Sequence, residues 1–173
     1  EWRDYFDLQT VLKQLDLRSP GRDVAAWEEL VRTIKNPKGE VTIGIVGKYV
    51  TFEDSYKSLN EALSHGGFAN GVKVVRRWVE SDELHSANAD EKLGGVDGIL
   101  VPGGFGSRGT AGMVAAAEYA RKTGKPYFGI CYGFQWAVTE FARNVCGLAG
   151  ANSTEVDPDA PHKIIYKLQD LRG

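Results

Sequence analysis

Pro126-Tyr127-Phe128-Gly129-Ile130-Cys131-Tyr132-Gly133-Phe134-Gln135 is the stretch that decides how this chain is read. Its first half, through Ile130, is a short apolar run behind a proline and predicts a strand. Its second half opens a helical spacing in which Phe134, Ala137, Val138 and Phe141 form the inner face, with a stop at Gly147. Between the two lies G-x-C-x-G. Glycines two before and two after Cys131 permit a turn that bulkier side chains would block, the spacing of a nucleophile elbow. Such a turn lifts Cys131 above the sheet and sets it at a helix N-terminus, where the dipole favours thiolate over thiol. A lone free cysteine is more often a buried apolar side chain. The glycine spacing favours the nucleophile.

Outward from this junction, strands and helices alternate. Val41 to Val46 is rich in β-branched residues and predicts a strand. A helix is expected from about Ser55 to Ala69, burying Leu59, Ala62 and Leu63, followed by strands at Val72 to Val79 and Gly98 to Val101. Thr110 is expected to cap a helix through about Lys122. This βαβ order predicts an α/β fold, a doubly wound, mainly parallel sheet of flavodoxin-like type, with ligands at the carboxyl ends of its strands. The first forty residues differ. Phe6, Leu8, Val11, Leu12 and Leu15 keep a helical period, as do Trp27, Leu30, Val31 and Ile34, with breaks at Ser19-Pro20-Gly21 and Asn36-Pro37. Residues 1–40 therefore predict a helical connector and residues 41–173 the α/β domain.

Pro102-Gly103-Gly104-Phe105-Gly106 follows the third strand. An N–H from this loop, with the N–H of Tyr132, is placed to form an oxyanion hole for attack by Cys131. Gly104 to Gly109 also matches G-x-G-x-x-G, but no acidic residue stands near Gly129, where a dinucleotide site needs one. Gln135, four residues after Cys131, falls one turn along the same helix face. Glu155, in Asn152-Ser153-Thr154-Glu155, is suited either to a ligand ammonium or to a solvated loop. Gly47-Lys48 lacks the remaining residues of a phosphate loop. A thiolate usually works with a histidine base. His65 and His85 read as surface residues, and nothing near His162 ties it to the site.

The 173 residues carry 42% hydrophobic and 25% charged side chains, the balance of a folded globular chain. The net charge of −2 predicts no nucleic-acid or anionic-membrane partner. No apolar run reaches bilayer length and no signal-peptide pattern opens the chain, so a cytoplasmic location is expected. Two cysteines are too few for a disulfide framework or a four-cysteine metal site, and no metal is expected; Cys146 is expected to pack inertly near a helix end. The single methionine is Met113, which predicts that Glu1 continues a longer chain.

Taken together, these segments resemble the class I glutamine amidotransferases, and within them the glutaminase portion of the CTP synthase family. The carrying residues are Val46-Gly47-Lys48-Tyr49, Ser55-Tyr56-Lys57-Ser58, Gly98 through Gly106, Phe128 through Cys131, Glu140 through Val145, and Ala151 through Glu155, with Trp27-Glu28-Glu29-Leu30 and Asn36-Pro37 similar to the family's connector. The resemblance implies that Cys131 attacks the amide of L-glutamine, that Gly104 and Tyr132 hold the oxyanion, and that Gly104, Tyr132, Gly133, Phe134, Gln135 and Glu155 bind glutamine. It implies that the ammonia passes to a synthetase domain that uses ATP and Mg²⁺ to convert UTP to CTP, with GTP as activator, in a homo-oligomeric parent. No cofactor is expected in this chain itself. Tyr132 and Phe134 stand where the family usually has Leu and Met, and their larger rings are expected to narrow the glutamine pocket or the ammonia exit. The family's His-Pro-Glu is expected beyond Gly173, so the chain alone is expected to be inactive. Two other readings remain: a non-catalytic binding or regulatory module, and a cysteine hydrolase acting on other substrates.

Overall fold

The computed structural model describes residues 8–17, 23–48 and 53–167. The chain divides into two compact units, Glu1–Asn36 and Pro37–Gly173. In the first, α1 spans Leu8–Gln14 and α2 spans Ala25–Lys35. Phe6 and the expected break at Ser19-Pro20-Gly21 lie outside the described residues. The apolar stripe of α2 is present but unburied within its unit: Trp27 is 69% exposed, and Val31 and Ile34 are exposed as well.

The second unit is built on a parallel sheet of β1 (Glu40–Gly47), β2 (Lys73–Glu80), β3 (Gly98–Val101) and β4 (Tyr127–Gly129), in the order β2-β1-β3-β4. Helix α3 (Lys57–Asn70), entered through a 3₁₀ turn at Glu53–Tyr56, joins β1 to β2. Helix α5 (Thr110–Thr123) joins β3 to β4, and α6 (Tyr132–Asn144) follows β4. This is the α/β, doubly wound arrangement. Its strand order reverses between β1 and β3, and ligand crevices form at such a reversal. Ile45, Val46, Ile99, Leu100 and Val101 are all buried, as expected of central strands covered on both faces. Among the described residues, no helix is long and apolar enough to cross a membrane.

Several local expectations are corrected. Gly109, not Thr110, is the N-cap of α5; it sits at φ +69°, and Thr110 Oγ1 instead donates to Ser107 O at 2.9 Å. Ala62 is exposed, and the buried residue of α3 is Gly67, where a Cβ would stand 2.7 Å from Val72 O. On α6 the inner face is Tyr132, Trp136, Thr139, Glu140 and Ala142, while Phe134 and Phe141 point outward. Gly147, at φ +70°, ends the turn after α6, with Leu148 N–H reaching back to Ala142 O. Two further stretches are ordered. A 3₁₀ turn at Ser81–Glu83 and α4 (Ala89–Leu93) bridge β2 to β3, burying Leu84, Ala89 and Leu93. Asn152 and Ser153 belong to β5 (Ala151–Ser153), which pairs in parallel with β6 (His162–Ile165).

Candidate active site

Adjacent parallel strands bring the two glycine loops together. Val101 at the end of β3 is in register with Gly129 at the end of β4, and Ile130 N–H donates to Val101 O at 2.9 Å. The chain then turns sharply. Cys131 has φ 51° and ψ −103°, a conformation that L side chains rarely adopt, and its thiol is exposed. The two flanking glycines are dictated by backbone crowding. A Cβ on Gly129 would lie 2.5 Å from Phe134 N, and one on Gly133 would lie 2.1 Å from Val101 O. Tyr127 reinforces the turn: its hydroxyl donates to Gly133 O at 2.8 Å, and burial pushes that phenol well above its usual range.

Across from Cys131 stands the loop of residues 102–106. A Cβ on Gly103 would be 3.7 Å from Cys131 Cβ, so the loop passes directly beside the cysteine. The N–H groups of Gly104 and Tyr132 donate to no other described residue. They are available to a ligand. Gln135 is half-buried, and its N–H donates to Cys131 O at 3.1 Å, which fixes it one turn beyond the cysteine. Phe134 is 61% exposed beside the elbow. Tyr132, in contrast, is buried. Its ring packs edge-on against Trp136, with centroids 5.5 Å apart, and its hydroxyl donates to Gly106 O at 2.5 Å. The Tyr132 ring is therefore packed beneath the glycine loop.

Glu155 is exposed and reaches the same loop: Oε1 accepts from Gly106 N–H at 2.8 Å. It serves here as a loop anchor, and its other oxygen accepts from no described residue. Lys48, which sequence reasoning set aside as an incomplete phosphate loop, lies at the centre of this network. It is 5% exposed, and Nζ donates to Phe105 O at 2.5 Å and Gly106 O at 3.0 Å. Arg108 donates to Lys48 O at 2.7 Å and pairs with Asp82, tying the loop to the turn after β2. The signal that would have found Lys48 is positional: it ends a central strand next to the strand order's reversal.

Other expectations are placed as follows. Cys146 is exposed, not packed, because α6 has ended and the chain there faces outward. Of the glycines in the G-x-G-x-x-G match, Gly109 has a packing role: a Cβ there would stand 2.1 Å from Ser81 Oγ, whereas nothing lies within 4 Å of a Cβ at Gly106. His65, His85 and His162 are all exposed, and among the described residues only His65 has a carboxylate close by, that of Glu61 at 3.7 Å. None bonds Cys131. No cluster of three His, Cys, Asp or Glu residues able to hold a metal occurs among the described residues.

Comparison with known proteins converges on one group. The family model for glutamine amidotransferase class-I matches residues 51–170. The chain is 58% identical over 159 residues to a CTP synthase of Acidobacterium capsulatum, covering 92% of this chain and 29% of that protein. It is 54% identical over 165 residues to a CTP synthase of Koribacter versatilis, covering 94% and 30%. A solved structure of the Trypanosoma brucei CTPS glutaminase domain with bound acivicin superposes with a TM-score of 0.70 at 42% identity, covering 77% of this chain and 52% of that one. The chain thus spans about three-tenths of the length of the curated relatives it matches.

Proposed function

Because the chain belongs to the class I glutamine amidotransferase family, we propose that it is a glutaminase module whose nucleophile is Cys131. Cys131 Sγ attacks the side-chain amide carbon of L-glutamine, and the carbonyl π pair moves onto oxygen. The N–H groups of Gly104 and Tyr132 hold that oxyanion. Collapse of the adduct breaks the C–N bond, the amide nitrogen takes up the proton given up by the Cys131 thiol and leaves as ammonia, and a γ-glutamyl thioester remains on Cys131. Water then attacks the thioester, releasing glutamate and restoring the thiol. Gly133, Phe134, Gln135 and Glu155 line the approach, with the free oxygen of Glu155 directed to the amino-acid end of glutamine.

The observation that carries this reading is the juxtaposition of an exposed cysteine at positive φ with a glycine loop whose Cβ position is 3.7 Å from Cys131 Cβ. The proton transfers need a base that none of His65, His85 or His162 supplies. The 173 residues by themselves are therefore expected to turn glutamine over some 10²–10⁴-fold below a complete site.

The similarity to CTP synthases supports a finer reading. The ammonia passes to a synthetase portion that aminates UTP to CTP with ATP and Mg²⁺ under GTP activation, and residues 1–40 connect that portion to this one. ATP and Mg²⁺ act in that synthetase portion. The test is mass spectrometry after exposure to a glutamine-mimetic electrophile. Since Cys131 and Cys146 are both exposed, exposure alone does not choose between them. An adduct on Cys131 that excess glutamine prevents is expected. Modification of Cys146 with Cys131 untouched would refute the assignment.

A further inference from the structure

Lys48 is a buried charge that the chemistry above leaves without a task. It directly follows β1 and is 5% exposed. Its ammonium forms no ion pair among the described residues. Its partners are the Phe105 and Gly106 carbonyls, at 2.5 and 3.0 Å, and the Tyr132 ring, whose centroid lies 4.7 Å away. Burial, and after it the nearby Arg108, hold its pKa below the ordinary lysine value, while Asp82 and Glu155 act in the opposite sense. An ammonium removed from water without a carboxylate is expensive, and a methionine of similar length would fill the space without that cost. Packing therefore does not explain the residue.

Its neighbours do. Every polar group that Lys48 Nζ touches lies in the loop of residues 102–106. The same Gly106 O accepts from Tyr132 Oη, and Gly106 N–H is held by Glu155. The lysine stem runs along Gly104, with Cε 3.9 Å from the position a Cβ would take there. The side chain thus bridges the end of β1 to the loop after β3, across the reversal in strand order where ligands bind in such sheets.

We propose that Lys48 is a positioning residue for the oxyanion hole. It clamps the Phe105 and Gly106 carbonyls so that the Gly104 N–H faces the oxygen of the carbonyl that Cys131 attacks, and its buried charge favours the negative charge that develops on that oxygen. The inference rests on the glutaminase reading.

The test uses the full 173-residue chain and the γ-aldehyde analogue of glutamine. Cys131 Sγ gives its proton to water and adds to the aldehyde carbon, a C–S bond forms, and the π pair moves onto oxygen, which takes a proton back from water. Nothing leaves, so no general base is required. Binding is read as protection of Cys131 from iodoacetamide, which alkylates by displacing iodide and uses no oxyanion donors. Loss of one such donor outright typically costs about 10²–10³-fold. Lys48→Met is expected to weaken aldehyde binding at least about 30-fold, a partial loss on that scale, with a melting temperature equal to or above that of the parent. Tyr132→Phe, which removes only the second clamp on Gly106 O, is expected to lose about 3- to 10-fold, in keeping with one neutral hydrogen bond. Lys48→Met binding within twofold of the parent would overturn the proposal. So would loss of its cooperative melt, which would make Lys48 a structural residue. A parent chain alkylated at Cys131 but blind to the aldehyde would sink the glutaminase reading itself.

Discussion

Gly133→Ala tests whether the elbow is held by backbone crowding rather than by the cysteine. A methyl group there would stand 2.1 Å from Val101 O, 2.8 Å from Val101 C and 2.9 Å from Val101 Cβ. Favourable contact begins near 3.5 Å, so the start of α6 and the end of β3 must part by more than about 1 Å. Neither side yields cheaply. Val101 O accepts the Ile130 N–H at 2.9 Å, and Gly133 N–H donates to Ile130 O at 3.0 Å, so separation breaks the bonds that define the turn. Overpacking with one weakened hydrogen bond costs about 3 kcal/mol. At roughly 2–4 °C per kcal/mol for a unit of this size, the melting temperature falls by about 10 °C. The same shift carries the Tyr132 N–H away from Gly104. A 1 Å misplacement is worth about 10²-fold in rate, so labelling of Cys131 by a glutamine-mimetic electrophile should slow by that order. Calorimetry and time-resolved mass spectrometry read the two effects. A Gly133→Ala chain that melts within about 2 °C of the parent and reacts as fast would refute the argument, since such a shift is below one kcal/mol.

Three further outcomes are expected. Gly66 lies inside α3 with nothing within 4 Å of its Cβ position, so Gly66→Ala should raise stability by about 0.5–1 kcal/mol in urea denaturation; its neighbour Gly67→Ala, 2.7 Å from Val72 O, should lower it by about 1–3 kcal/mol, and equal signs would refute the reading. Arg121→Ala leaves the buried Glu140 carboxylate with Asn144 as its one partner among the described residues and should lower the melting temperature, most of the loss being recovered by adding Glu140→Gln; a single variant as stable as the parent would contradict this. Because the folded chain holds the pKa of Lys48 below 10.5, the unfolded chain binds more protons as pH rises toward that value, so the parent should gain melting temperature relative to Lys48→Met between pH 7 and 10; a flat or falling difference would count against it.

The parts of the fold that were legible in the sequence are those where one physical constraint acts alone. Gly98–Val101 is a strand because β-branched and aliphatic residues fill a position buried on both faces, and its bounds match expectation. The G-x-C-x-G turn was legible because backbone atoms exclude a Cβ at each flanking glycine. Helix α6 was misread for the converse reason: two stripes satisfy the same period. Tyr132, Trp136, Thr139 and Glu140 lie on one face, and Phe134, Phe141 and Val145 on another. By hydrophobicity alone the second stripe is the better candidate for burial. The first wins because Glu140 gains Arg121 as a partner and Tyr132 gains the glycine loop, contacts that helical period does not encode.

Lys48 shows where motif reading stops. A motif names side chains at fixed spacing, yet the partners of Lys48 are main-chain carbonyls 57 and 58 residues away. Any residue can supply a carbonyl, so nothing at positions 105 and 106 advertises the contact. What the sequence does carry is indirect. A lysine that ends a run as apolar as Ile43 to Gly47 has its stem drawn inward, and a buried ammonium must then find oxygen atoms. In a sheet ordered β2-β1-β3-β4, the loop after β3 is the nearest source. Cation, reversal of strand order and glycine loop therefore converge at the carboxyl edge for reasons independent of Cys131. The same geometry sets the donors that an oxyanion would need.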